Sequence, residues 1–182
     1  MTDSETGWLD ALPEDRAAEM FMQCCGSNAW SIAMAKRRPY VTVVHLHQVA
    51  DLAFDTLQDA DWIQAFDCHP RIGDLDSLRM KFRGNKKWSA GEQAGLSAAD
   101  EDVVRELADG NRAYENKFGF IFIVCASGKS AAEMLGLLRD RLPNGLETEI
   151  RIAANEQRKI THLRLEKLLH CPETSFERKT DP

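Results

Sequence analysis

The sequence predicts an all-α fold, one compact multi-helix domain spanning residues 1–182. Apolar residues recur at three- and four-residue spacing through most of the chain, the period of a helix with one buried face. Helix-ending signals, Gly26, Pro39, Gly119 and Pro143-Asn144-Gly145, fall between those stretches. Only Phe120–Cys125 (FIFIVC) reads as a strand, and no second run offers it a partner. The core of the domain is expected over about 8–169, with a polar C-terminal tail over about 170–182.

Each helix follows from local chemistry. Pro13-Glu14-Asp15 opens the first, with Pro in the first turn and acids at the positive end of the helix dipole. Ala17, Met20, Phe21 and Cys24 follow at helical spacing until Gly26 ends it. Ser27 caps a second, from Asn28 to about Arg38, stopped by Pro39. Leu46, Val49, Ala50, Ala53, Phe54 and Leu57 form the stripe of a third. Asp59 or Asp61 caps a short fourth holding Trp62, Ile63 and Phe66. Ser97 and Asp100 resemble a capping box before a long helix to about Phe118, closed by Gly119. The run Phe120–Cys125 fits either a buried extended segment or a first helical turn. Ser127-Gly128-Lys129-Ser130 starts a helix to about Leu142. The last runs from about Leu146 to Leu169, with Ile150, Ala153, Ala154, Ile160, Leu163 and Leu168 inward.

Composition narrows the function. The chain is 43% apolar with mean hydropathy −0.40, and no apolar run approaches the roughly 20 residues of a membrane span, so no membrane role is expected. The polar start MTDSETGWLD does not read as a secretory signal, and Thr180-Asp181-Pro182 is no peroxisomal S-K-L address. A cytoplasmic location follows as the expectation, or a peroxisomal one in a eukaryote. Net charge is −6, and the short cluster Lys81–Lys87 reads as a solvated loop, so nucleic acid is disfavoured. The five cysteines, Cys24, Cys25, Cys68, Cys125 and Cys171, have no C-x-x-C spacing and read as reduced thiols.

Irregularity concentrates between Cys68 and about Leu96, and long irregular stretches in compact domains tend to carry function. His69 stands before Pro70, which biases it to extended backbone, and Gly73 follows. Histidine exchanges protons near neutrality, although a packed or solvated loop histidine is the commoner case. Ser89-Ala90-Gly91-Glu92-Gln93 has the spacing of a helix cap. It also offers N–H groups, a carboxylate and an amide, a set able to read a ring bearing donors and acceptors. His45 and His47, two apart on a helix, do not share a face, so no metal site is expected there. The Ser127–Ser130 stretch lacks the upstream half of a P-loop, and no G-x-S-x-G or H-E-x-x-H occurs. Arg164 could grip a planar anion, but by spacing alone a surface ion pair near Glu166 or Glu156 explains it.

Five segments, CCGSNAWSIAMAKRRPY, HPRIGD, SAGEQAGL, NRAYENKFGFIFIVCASG and ETEIRIAANEQRKITHLRLEKLL, follow one another in an order that resembles the 2-oxo-4-hydroxy-4-carboxy-5-ureidoimidazoline (OHCU) decarboxylase family. The resemblance runs from about Trp8 to Leu169; Tyr40 stands where Phe is expected. It implies an all-helical homodimer without metal or organic cofactor, a carboxy-lyase that forms (S)-allantoin and CO2 from OHCU at the end of urate degradation. His69 would match the catalytic histidine and Glu92 its partner carboxylate. Pro70, Ser89, Ala90, Gly91, Gln93 and Arg164 would match substrate-binding positions. Phe122, Ile123, Val124, Cys125 and Ala126 would match a segment presenting main-chain groups to substrate, in a register open by one residue. Two rivals stay open: a cofactor-free hydrolase or isomerase of a related ureide, and a helical interaction module without catalysis.

Overall fold

A computed structural model of the chain describes residues 5–69 and 98–170, the side chains of 98–100 excepted. Among the described residues there are eight helices and no strand. They are α1 (Gly7–Asp10), α2 (Glu14–Cys25), α3 (Asn28–Lys36), α4 (Val43–Phe54), α5 (Asp59–Asp67), α6 (Ala98–Phe118), α7 (Ala131–Arg141) and α8 (Leu146–His170). Contacts divide the chain into two compact units, Met1–Cys68 with Asn155–Pro182, and His69–Ala154.

In the first unit, α2 starts after Pro13 with Glu14 and Asp15 in its first turn and ends on Gly26, whose φ of 86° is the left-handed geometry glycine adopts freely. Ser27 Oγ accepts the Trp30 N–H at 3.3 Å and so caps α3. That helix stops at Lys36, two residues before the expected end, as the residue ahead of Pro39 is driven out of helical geometry. Thr42 caps α4 by accepting the His45 N–H at 3.0 Å. The predicted α4 stripe is buried from Leu46 to Phe54, whereas Leu57 lies beyond the helix and is half-buried. At α5 the cap is Gln58 rather than Asp59 or Asp61; Asp61 occupies the third helical position and accepts the Gln58 N–H at 2.9 Å. One helix escaped the sequence reading altogether: α1 has four residues, too few for a periodic signal.

The core of this unit is aromatic. Trp30 and Phe54 stack with centroids 5.1 Å apart, Phe54 and Trp62 at 5.5 Å, and Phe21 meets Trp30 edge-on at 5.9 Å. Such pairs contribute about 0.5–1.5 kcal/mol each beyond the area they bury. Two of the core's polar atoms find backbone acceptors: Trp30 Nε1 donates to Ala50 O at 3.2 Å and the Tyr40 hydroxyl to Met34 O at 2.6 Å. Arg38 ties α1 and α3 together, donating through Nη1 to Leu9 O and Leu12 O and through Nε to Ala35 O.

In the second unit, α6 buries Val104, Leu107, Ala108, Tyr114 and Phe118, then ends at Gly119 with φ 78°. The Ser97 cap proposed for it lies outside the described residues. Residues 121–126 are neither strand nor helix, with Phe120, Ile123 and Cys125 buried. The Ser127–Ser130 stretch is a cap: Ser130 and Glu133 bond reciprocally at the start of α7. On the part of α8 in this unit, Ile150, Ala153 and Ala154 are buried as predicted; on the part that belongs to the first unit Leu168 is buried too, but Leu163 is 36% exposed and Ile160 half-buried. The inward face of its second half runs instead through Gln157, Thr161, Leu165 and Leu168. Polar Gln157 and Thr161 carry that face, and Leu163, two residues past Thr161, points the other way.

Candidate active site

Of the residues assigned to the site, Pro70, Ser89, Ala90, Gly91, Glu92 and Gln93 lie outside the described residues. His69 is described: it is half-buried, in a bend immediately after Cys68, the residue that caps the C-terminus of α5. Trp62, Ala65 and Phe66 anchor that helix in the first unit's core. Its end abuts the end of α2, where a Cβ on Gly26 would stand 2.7 Å from Cys68 Cβ and 3.2 Å from Ala65 O. Glycine is therefore required at position 26 twice over, by its φ and by this approach.

A helix C-terminus leaves carbonyls without intrahelical partners. At the end of α2 three successive carbonyls are taken from elsewhere in the unit. Arg164 Nη1 donates to Cys24 O at 3.0 Å, Gln157 Nε2 to Cys25 O at 3.3 Å, and Cys68 Sγ to Gly26 O at 3.5 Å. The arrangement locks α8 and the α5 terminus to one point, and a cation there is favourable to the helix dipole. Arg164 thus uses one donor on the protein, not in an ion pair with Glu166 or Glu156, while its other guanidinium N–H groups have no acceptor among the described residues. The neighbouring thiols are held in the protonated form: burial pushes both Cys24 and Cys25 up to about 12, outweighing the pull of Arg164.

The segment Phe122–Ala126 belongs to the second unit and is held by groups that the sequence reading did not single out. Arg141, 6% exposed, donates to Ile123 O through Nη1 at 2.7 Å. Its Nε and Nη2 grip Glu149 Oε1 at 2.6 and 2.5 Å, and Nη2 also reaches the Tyr114 hydroxyl at 3.1 Å. Tyr114 donates to Glu149 Oε1, and Asn144 to Oε2 at 2.8 Å. Glu149 is fully buried, so its charge depends on these partners. Burial and the bond to Glu149 push the Tyr114 phenol well above its ordinary range, which keeps it a donor. Lys129 Nζ donates to Cys125 O at 2.7 Å. A charged residue next to Ile150 on the inward face of α8 was the available clue.

A histidine pair was also missed. His47 Nδ1 and His162 Nδ1 are 2.6 Å apart, and His162 Nε2 lies 2.9 Å from Asp51 Oδ1. With His162 donating to Asp51, its Nδ1 is the acceptor and His47 the donor. Sequence spacing paired His47 with His45, but its partner is 115 positions away. Among the described residues no three His, Cys, Asp or Glu converge as a metal site, and no helix is long and apolar enough to cross a membrane.

Comparison with known proteins shows the family. A family model described as OHCU decarboxylase matches residues 10–166. The chain is 37% identical over 145 residues to the uric acid degradation bifunctional protein TTL of Arabidopsis thaliana, covering 80% of this chain but only 45% of that protein. It is 32% identical over 139 residues to the 2-oxo-4-hydroxy-4-carboxy-5-ureidoimidazoline decarboxylase of Amia calva, covering 75% of this chain and 78% of that one. A crystal structure of an OHCU decarboxylase in the presence of (S)-allantoin superimposes with a TM-score of 0.67 at 36% identity, covering 84% of this chain and 98% of that one. The all-α fold is shared, and a match over most of the chain's length shows that the chain belongs to the OHCU decarboxylase family.

Proposed function

We propose that the chain decarboxylates OHCU to (S)-allantoin and CO2 in urate degradation, using His69 and Glu92 to move protons. The observation that carries this reading is the family match over residues 10–166, a range that contains His69, Glu92, Phe122–Ala126 and Arg164. The substrate's chemistry fits a site built from side chains alone. Its carboxylate sits on the hydroxyl-bearing carbon beside a ring C=N, so the electron pair freed as the C–C bond breaks enters that C=N. The ring nitrogen takes up a proton, the hydroxyl gives one up, and the neighbouring carbon receives one on a single face. No external electron sink is needed, the task for which organic cofactors otherwise serve.

For His69 the reading is supported by its position in the chain, in a bend directly after Cys68, the C-cap residue of α5. Glu92 is assigned to orient and charge-stabilise the imidazole, and a positioned general acid or base contributes typically about 10²–10⁴ in rate. Arg164, with guanidinium donors to spare, is suited to an anionic or carbonyl oxygen of the substrate. Pro70, Ser89, Ala90, Gly91 and Gln93 complete the binding set in this reading.

Circular dichroism of freshly generated OHCU tests it: the chain should build up an (S)-allantoin signal, whereas spontaneous decay yields racemate. His69→Asn should fold normally and lose this signal; near-wild-type turnover in that variant removes His69 from the mechanism. The homodimer belongs to the same proposal and follows from the family resemblance; Val41, Val44 and Leu52, on and before α4, are exposed apolar side chains available to it. Light scattering at working concentration decides it. A cytoplasmic location is proposed with it, and cell fractionation is its check.

A further inference from the structure

The groups packed behind Phe122–Ala126 decide which backbone atoms that segment displays. In a trans peptide the C=O of one residue and the N–H of the next point in opposite directions. The cis bond recorded among the described residues is Arg38–Pro39, so this rule holds throughout the segment. Arg141 draws the Ile123 carbonyl to one side, which turns the Val124 N–H to the other. Lys129 draws in the Cys125 carbonyl, which turns out the Ala126 N–H. Neither N–H has an acceptor among the described residues.

Arg141 has little freedom to choose otherwise. Its Nε, Nη1 and Nη2 are all committed, and the Phe122 ring covers the guanidinium at 4.7 Å. Glu149 and Tyr114 lock it from behind and are themselves buried. Side chains from α6, α7 and α8 thus converge on one irregular stretch, and their shared effect is to choose which backbone groups that stretch displays.

We propose that Arg141 and Lys129 are positioning residues that set the register of the segment, leaving the Val124 and Ala126 N–H groups as the donors that bind carbonyl oxygens of the ring and ureido group. This rests on the functional reading above and deepens it, fixing a register that sequence comparison leaves open by one residue. Arg141 and Lys129 touch the backbone, not the substrate, so their loss should weaken binding without removing the chemistry.

Lys129 is the more informative position, since Arg141→Met would strand a buried carboxylate and could unfold the unit. Lys129→Met should raise KM for OHCU and Kd for (S)-allantoin up to about tenfold, the scale of one lost well-placed hydrogen bond, that of the Ala126 N–H, with kcat within about twofold and an unchanged melting temperature. Lys129→Arg, which can still donate to Cys125 O, should restore both constants. Arg139→Gln, on the exposed face of α7, should match wild type. In the ¹⁵N-labelled protein, (S)-allantoin should shift the Val124 and Ala126 amides most within the segment. A wild-type chain that binds and forms (S)-allantoin while Lys129→Met matches it in KM and Kd overturns this inference alone. Dominant shifts at Ile123 and Cys125 overturn it too. A wild-type chain that neither binds nor forms (S)-allantoin overturns the functional reading together with it.

Discussion

Replacing Gly26 by alanine probes the point where α2, α5 and the approach to His69 meet. The added Cβ would stand 2.7 Å from Cys68 Cβ, against about 3.5–4.0 Å for an ordinary carbon contact. The two helix ends must therefore separate by roughly 1 Å, an overpacking that costs about 1–3 kcal/mol. Position 26 also has φ 86°, where a side chain costs about another 1–2 kcal/mol. The expected loss is about 2–5 kcal/mol, read by urea unfolding followed by far-UV circular dichroism. Gly128→Ala supplies the control, since φ is 75° there with nothing within 4 Å of the new Cβ, so it should lose only the conformational part. Because Cys68 precedes His69, the separation should also lower kcat/KM; a 1 Å misplacement of a catalytic group can cost about 10²-fold. Cys68→Gly removes both the clashing Cβ and Sγ and should recover most of the excess loss in the double variant. Equal losses in Gly26→Ala and Gly128→Ala would refute the reasoning, since the clash with Cys68 would then contribute nothing.

Two further outcomes can be checked without substrate. Cys24 and Cys25, pushed up to about 12 by burial, should resist an aromatic disulfide reagent at pH 8 and react only after urea unfolding; rapid labelling of either in the folded protein, located by mass spectrometry, contradicts their placement. His47 is held below its ordinary 6.5, first by burial and then by His162, against the opposing pull of Glu166 and Asp51. A depressed folded-state value favours the neutral form on folding. The stabilisation is thus complete above about 6.5 and is lost as pH falls through the lower folded value. Between pH 7.5 and 5.5 the melting temperature of wild type should therefore drop more steeply than that of His47→Gln, and parallel slopes would speak against a His47 held neutral by burial and His162.

Much of the fold was legible locally. Gly26 and Gly119 end helices where their backbone freedom is needed, and Ser27 and Ser130 cap helices through their hydroxyls, because both effects act within four residues. The apolar stripe of α4 was legible for the same reason. Reading failed where the periodic signal was too short, as in α1, or where polar residues take inward positions, as Gln157 and Thr161 do while Leu163 faces out. Phe120–Cys125 left strand, extended segment and helical turn open, since local propensity does not say what holds a backbone lacking a partner strand. Arg141 and Lys129 hold it, through carbonyls that have no sequence signature.

For the site, five ordered segments identified the family and nominated His69, but a motif does not reveal what fixes its geometry. The crowding of Gly26 against Cys68, and the capture of three α2 carbonyls by Arg164, Gln157 and Cys68, join residues up to 140 positions apart. The same is true of His47 and His162, and of Tyr114 with Glu149. Helical periods, caps and glycine stops depend on neighbours along the chain, so the sequence by itself determined the all-α class and most helix boundaries. Which buried charge meets which carbonyl depends on packing between distant helices, and only the tertiary structure decided that.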